Sequence, residues 1–276
     1  MFVQSQQLPW VDSLYPQVLP GVQMRRLSHD PQSGAATVMA RLPARWQNSD
    51  SSPLGAQQEL FVLAGDLTIG AQRFEDHSYA CFPQGYSAGA VCSEQGAIVL
   101  LMWDREPRKQ GAAAAAANAV DTERLVPYIN ARVNGLDSWQ KNTHTRYLPG
   151  TGVQTLRQDP ESGEITILYS ALPFRFMDRR WTHEHVQEMF VIAGEYSIND
   201  VGLMRPGAYA WWEPERLHGP YGSLTGFMML IRSCGGPLVN VIPEERVAVD
   251  FAAPHRPQLP PELAAYCAPW DGFRCY

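Results

Sequence analysis

The chain has 276 residues, enough for one large or two ordinary domains, and its 45% hydrophobic and 18% charged residues are the balance of a soluble globular protein. A formal charge of −6 and the lack of a basic cluster exclude nucleic acid and an anionic membrane surface as partners. Helix-forming runs are few, and 22 Gly with 22 Pro imply frequent turns, so the expected class is all-β. Residues 1–10 have neither a basic cluster nor an apolar core, so no secretory signal is expected. No run approaches a membrane span, and a cytoplasmic protein with no membrane partner is expected. In that setting the five scattered cysteines read as free thiols.

In chain order, strands are predicted at 37–42 and at 60–63, the latter an apolar run ending in Ala-Gly, and a strand at 97–103 closes a first unit. Six alanines at 112–117 read as a linker, and 121–126 begins a connecting segment. Strands at 165–169, 189–192 and 226–231 then repeat the first series. Short strands at such spacing suggest a sandwich or small barrel. The Pro-rich tail carries Leu263, Tyr266, Trp270, Phe273 and Tyr276, so it is expected to pack on a domain or a partner subunit. The expected division is a first barrel over 1–110, a connection over 111–150, a second barrel over 151–240 and a tail over 241–276. A homodimer is the expected assembly.

The two units are copies. DPQSG at 30–34 recurs as DPESG at 159–163, and ELFVLAG at 59–65 recurs as EMFVIAG at 188–194, both at an offset of 129. Leu42-Pro43 matches Leu172-Pro173, and the stretch from Tyr79 to Pro83 resembles that from Tyr209 to Pro214. A nearly constant offset over such a length indicates a tandem duplication.

The second copy holds what the first lacks. His183 and His185 are one residue apart before the apolar strand, and His218 follows in a Pro-led segment, Trp212-Glu213-Pro214-Glu215-Arg216-Leu217-His218. Side chains at i and i+2 of a strand share a face, so both histidines of the pair are predicted to reach one point, as ligands of a divalent metal do. The matching first-copy positions are Leu54, Ala56 and about Ser87, which confines the predicted site to the second barrel. An uninterrupted strand would turn Gln187 inward with Met189 and Val191 and turn Glu188 away, whereas a bulge would reverse them. Gln187 is the favoured fourth ligand, and Glu188 is the candidate proton acceptor. Both have counterparts, Gln58 and Glu59, in the copy without histidines. His29, His77, His144 and His255 have no matching partners and read as surface or hydrogen-bonded residues.

The paired histidines before a strand ending in Gly, with a later histidine after a Pro-led turn, resemble the cupin family, and the duplication resembles a bicupin. The second half is most similar to the branch that contains cupin-type anti-sigma factors and related dioxygenases. The resemblance spans roughly 30–105 and 159–235. It implies two double-stranded β-helix (jelly-roll) barrels and a metal held by His183, His185 and His218. The chain departs from the family pattern where Gln187 stands in place of the usual glutamate and Arg216 in place of the usual glycine.

The resemblance implies one divalent metal per chain, with Fe(II) favoured and Zn, Mn, Ni or Cu as alternatives. The activity implied is dioxygenation of a small, oxygen-bearing organic substrate. A regulatory or sensor protein without turnover and a non-redox isomerase or lyase are the alternatives. Neutral ligands would leave a net charge of +2 that an anionic substrate could balance. Arg180, Trp212 and Tyr221 are candidate substrate contacts, Arg180 as a basic rim for a carboxylate.

Overall fold

The computed structural model describes residues 1–111, 119–133, 138–141, 150–270, 272 and 276. The alanine run, His144, Phe273 and Cys275 lie outside the described residues. The chain is built almost entirely of antiparallel strands and divides into two compact units, 9–134 and a second made of 1–8 with 135–276. In chain order the strands of the first stretch are β1 (Phe2–Gln4), β2 (Val11–Asp12), β3 (Gln23–His29), β4 (Ala36–Leu42), β5 (Trp46–Asn48), β6 (Gln58–Gly65), β7 (Leu67–Ile69), β8 (Gln72–Phe74), β9 (Ser78–Phe82), β10 (Val91–Ser93), β11 (Ala97–Trp103) and β12 (Val126–Asn130). The second stretch has β13 (Trp139–Lys141), β14 (Thr151–Gln158), β15 (Ile165–Ala171), β16 (Arg175–Met177), β17 (Val186–Gly194), β18 (Tyr196–Ile198), β19 (Gly202–Met204), β20 (Ala208–Trp212), β21 (Tyr221–Ser223) and β22 (Phe227–Cys234).

In the first unit a seven-stranded sheet, β12-β9-β6-β11-β4-β3-β2, and a four-stranded sheet, β5-β10-β7-β8, enclose one apolar core. The second unit repeats the plan, with β1-β20-β17-β22-β15-β14-β13 and β16-β21-β18-β19 around its own core. Strand for strand the orders correspond, except that β1 takes the edge place held by β12 in the first unit. The division therefore differs from the expected first barrel over 1–110. Phe2 is fully buried in the second core, and β1 pairs with β20 in the register Phe2 to Ala210. Three residues have no periodicity to read, so the sequence carried no sign of this partner.

Local signals recur in both copies for local reasons. Asp30 and Asp159 each accept backbone N–H groups from two and three residues ahead, closing the same turn. The Ala-Gly strand ending is required by geometry. Gly65 and Gly194 have φ of +79° and +71°, and a Cβ there would lie 2.1 and 2.0 Å from the carbonyl oxygens of Gly96 and Gly226. Tyr276 of the tail donates from its hydroxyl to the Ile192 carbonyl at 2.9 Å and packs on Phe190, on the outward side of β17. Among the described residues no helix is long and apolar enough to cross a membrane, and Cys81, Cys92, Cys234 and Cys267 are free.

Candidate metal centre

The segment before β17 is shaped by long-range pairing. Trp181 exchanges backbone hydrogen bonds with His218 at 2.9 and 3.0 Å, and Thr182 does the same with Val241. The ladder stops there. His183 to His185 form a bend, and the strand resumes only at Val186. Alternation therefore does not run through the histidine pair. His183 is buried, whereas the half-buried His185 lies against Gly235 and Gly236, so close that a Cβ on Gly236 would sit 2.2 Å from its Nε2. Among the described residues no three His, Cys, Asp or Glu side chains gather into a group that could hold a metal. The predicted triple-histidine set is corrected accordingly: His185 is turned out of it by the bend.

Two of the histidines and Gln187 do come together. The rings of His183 and His218 are 5.2 Å apart, and the Nε2 of His183 lies 3.0 Å from the Oε1 of Gln187. His218 is fully buried, and loss of hydration, its largest perturbation, brings its pKa down to about 3. The ring is therefore neutral at pH 7. Its Nδ1 sits 2.7 Å from the Arg216 carbonyl and donates to it, so the lone pair is on Nε2, which is buried with no hydrogen-bond partner. Burial also lowers the pKa of His183, so its neutral ring carries one N–H, while its Nδ1 lies 3.4 Å from the Val239 carbonyl oxygen and its Nε2 lies 3.0 Å from the Gln187 Oε1. One N–H cannot serve both oxygens. Where Val239 takes it, the Nε2 lone pair meets the Gln187 side chain, a contact matched by an amide that turns over to donate or by a cation bound to both. For bonds of about 2.0–2.2 Å, adjacent ligands at a right angle are about 3 Å apart. His183 and Gln187 have that spacing, and His218 offers a free Nε2 lone pair from a ring 5.2 Å from that of His183, a donor set suited to a divalent metal.

Parity within β17 follows from its start at Val186. Gln187 and Met189 line a cavity of about 300 Å³ inside the second barrel, and Glu188 points the other way. The Glu188 carboxylate accepts from the Tyr209 hydroxyl at 2.6 Å and from Arg232 at 2.9 Å, all three buried. Its expected role as a proton acceptor at the site is thereby corrected. The first unit supplies the reason both residues persist. Glu59 accepts from Tyr79 at 2.6 Å, the same carboxylate–phenol pair, and Gln58 accepts from the indole of Trp103 at 3.0 Å. The first-copy counterpart of His183, Leu54, takes the same backbone place, its carbonyl accepting from Gly85 as that of His183 accepts from Glu215. Ala56 is part of the first core, and the Ser87 hydroxyl donates to the Ser51 carbonyl.

The other expected contacts divide. Tyr221 lines the cavity and pairs with Tyr169 through their hydroxyls at 3.0 Å. Trp212 stacks flat on His218 at 4.5 Å, away from the cavity lining, and donates to the Met189 sulfur. Arg180 is not a free rim cation: it pairs with Asp200 at 3.0 Å and donates to the Leu217 carbonyl, while Asp200 accepts the backbone N–H of Gly219. This triad holds the turn that carries His218. Within that turn Glu215 has φ +60°, a costly conformation for a non-glycine residue. Sequence reasoning missed Trp181, whose ring stands edge-on between His218 (4.8 Å) and Tyr221 (5.1 Å), and it missed Val239, which orients His183. Trp181 adjoins the histidine pair and was the available signal. Val239 had none.

The model of one protein family, described as "Domain of unknown function (DUF4437)", matches residues 2–236. No curated protein sequence matches the chain. Among solved structures, a candidate dioxygenase of Nostoc punctiforme is similar with a TM-score of 0.75 at 17% identity, over 89% of this chain and 87% of that one. A structure of Bacillus subtilis oxalate decarboxylase, from work on its Mn(II) centres, has a TM-score of 0.55 at 13% identity, over 88% and 79%. The protein Ylba from E. coli has 0.56 at 13% identity, over 86% and 92%. Likeness at such identities concerns the fold, which is the all-β cupin jelly roll.

Proposed function

The chain belongs to the DUF4437 family, and we propose that it is a bicupin whose second barrel holds one divalent metal and acts on a small, oxygen-bearing organic substrate. The observation that carries this reading is the buried, unpartnered Nε2 of His218 beside the His183 ring, which itself meets the Gln187 oxygen at 3.0 Å. These three residues would hold the metal. When bound it supplies Lewis acidity and, as the favoured iron(II), the activation of O2 for dioxygenase chemistry; zinc, manganese, nickel and copper suit the same donors. The chain's own residues prepare the site. The Arg216 carbonyl fixes the His218 tautomer so that its Nε2 stays free to bind, and with Val239 accepting from Nδ1 the His183 Nε2 would be free as well. The Arg180–Asp200–Gly219 triad positions the His218 turn, and the largely apolar wall limits water. The likeness to a candidate dioxygenase and to a manganese-containing decarboxylase supports the same direction.

A second reading, a regulatory metal protein without turnover, has one observation in its favour: Trp181 stands between His218 and the cavity. Elemental analysis of protein purified without chelators tests both. About one metal per chain is expected, lost in His183→Ala and His218→Ala and kept in His185→Ala. Wild-type protein with no stoichiometric metal refutes the proposal. Iron with O2 uptake on small diketones or catechols supports the dioxygenase, and full zinc occupancy without turnover supports the second reading.

A further inference from the structure

We infer that the cavity of the second barrel takes an uncharged, flat, ring-sized molecule bearing a hydrogen-bonding oxygen, and rejects small carboxylates. Calling that molecule a substrate rests on the metal-enzyme reading above; the cavity's preference does not. At about 300 Å³ the cavity is at the small end of small-molecule sites. Among the described residues that line it none is charged. Its polar groups are neutral and include the hydroxyl pair of Tyr169 and Tyr221, the amides of Gln187 and Asn240 and the hydroxyl of Thr155.

The buried arginines of this unit, and Arg180 beside the His218 turn, are already matched. Arg157 pairs with Asp159 and Glu164, Arg180 with Asp200, and Arg232 with Glu188. An entering carboxylate would lose its hydration and gain no counter-charge from the lining, which favours a neutral molecule. Shape follows from the rings. Trp181 and Tyr196 both lie about 5 Å from the Tyr221 ring and frame a pocket with aromatic edges and faces. Such walls suit a planar guest, which packs on rings at similar spacing.

Acetophenone and benzoate form a matched pair of probes, alike in ring and carbonyl and differing by a methyl group in place of an anionic oxygen. Their binding is measured by calorimetry on the full-length protein as purified, with its metal content quantified, and again after chelation. Acetophenone is expected to bind at least about tenfold more tightly after chelation, a difference of about 1.4 kcal/mol, and a metal held beside Gln187 is expected to narrow that gap. Thr155 is exposed at the cavity rim, so Thr155→Arg, with Thr155→Lys as a second variant, adds a cation where the fold tolerates one. Either variant is expected to bring benzoate to parity and to change acetophenone by less than about twofold, which places binding in this cavity. Benzoate binding as tightly as acetophenone in the chelated wild type, no saturable acetophenone binding, or benzoate affinity unmoved by both variants overturns the inference. A metal-free wild type would sink the enzyme reading and leave the probe preference readable on the same sample.

Discussion

Replacing Glu188 separates a structural carboxylate from a catalytic one. Its side chain and that of Arg232 are each 7% exposed and 2.9 Å apart, and the Tyr209 hydroxyl donates to the same carboxylate at 2.6 Å. Removing one partner of such a pair leaves an uncompensated buried charge and costs about 3–5 kcal/mol. In the second unit, Glu188→Ala is therefore expected to lower the unfolding midpoint by roughly 6–20 °C. The double variant Glu188→Ala/Arg232→Met should recover much of that loss, because it removes both charges. In the first unit Glu59→Ala removes the acceptor of the Tyr79 hydroxyl, and a loss of at least about 1–3 kcal/mol is expected. Thermal and urea unfolding followed by tryptophan fluorescence measure these, and elemental analysis of Glu188→Gln should find metal content unchanged. A Glu188→Ala protein of wild-type stability that has lost its metal would refute the reasoning.

Three further outcomes follow from the geometry. In chelator-treated protein the folded pKa of His218 is depressed to about 3 from an ordinary value of 6.5, so the unfolded chain binds the extra proton first. Stability is then fully present above about pH 6.5 and falls by up to about 1.4 kcal/mol per pH unit from there toward pH 3, and His218→Gln should flatten this slope in pH-dependent urea titrations. Gly236→Ala meets only the half-buried ring of His185, which can swing outward, so it should cost less than about 1 kcal/mol and leave metal content intact; loss of metal would return His185 to the ligand set. Gly194→Ala combines φ +71° with a backbone oxygen 2.0 Å from the new Cβ, so thermal unfolding should show a loss of more than about 2 kcal/mol, and Gly65→Ala a similar loss in the first unit.

The residues that the sequence revealed are those whose partners belong to the same repeat. The Asp turns at 30 and 159 and the glycines at 65 and 194 recur because each copy needs them locally, so the duplication exposed the fold before any contact was known. The histidine pair misled for the opposite reason. Whether His183 and His185 share a face depends on where the ladder stops, and that is decided by Trp181 meeting His218 and Thr182 meeting Val241, partners 37 and 59 residues away. No window of sequence around the pair contains those contacts. Gln187 and Glu188 show how a duplicate can be read for function once partners are visible. Glu keeps its phenol in both copies, so its persistence reports stability. Gln keeps its place on the strand and changes its neighbour, from the indole of Trp103 in one copy to the imidazole of His183 in the other. The indole facing that amide in the first barrel can only donate, whereas the imidazole facing it in the second can present a lone pair, to which a cation could bind. The conversion thus lies in the residue opposite Gln187, and for that reason a glutamine common to both copies can be structural in one and a metal ligand in the other.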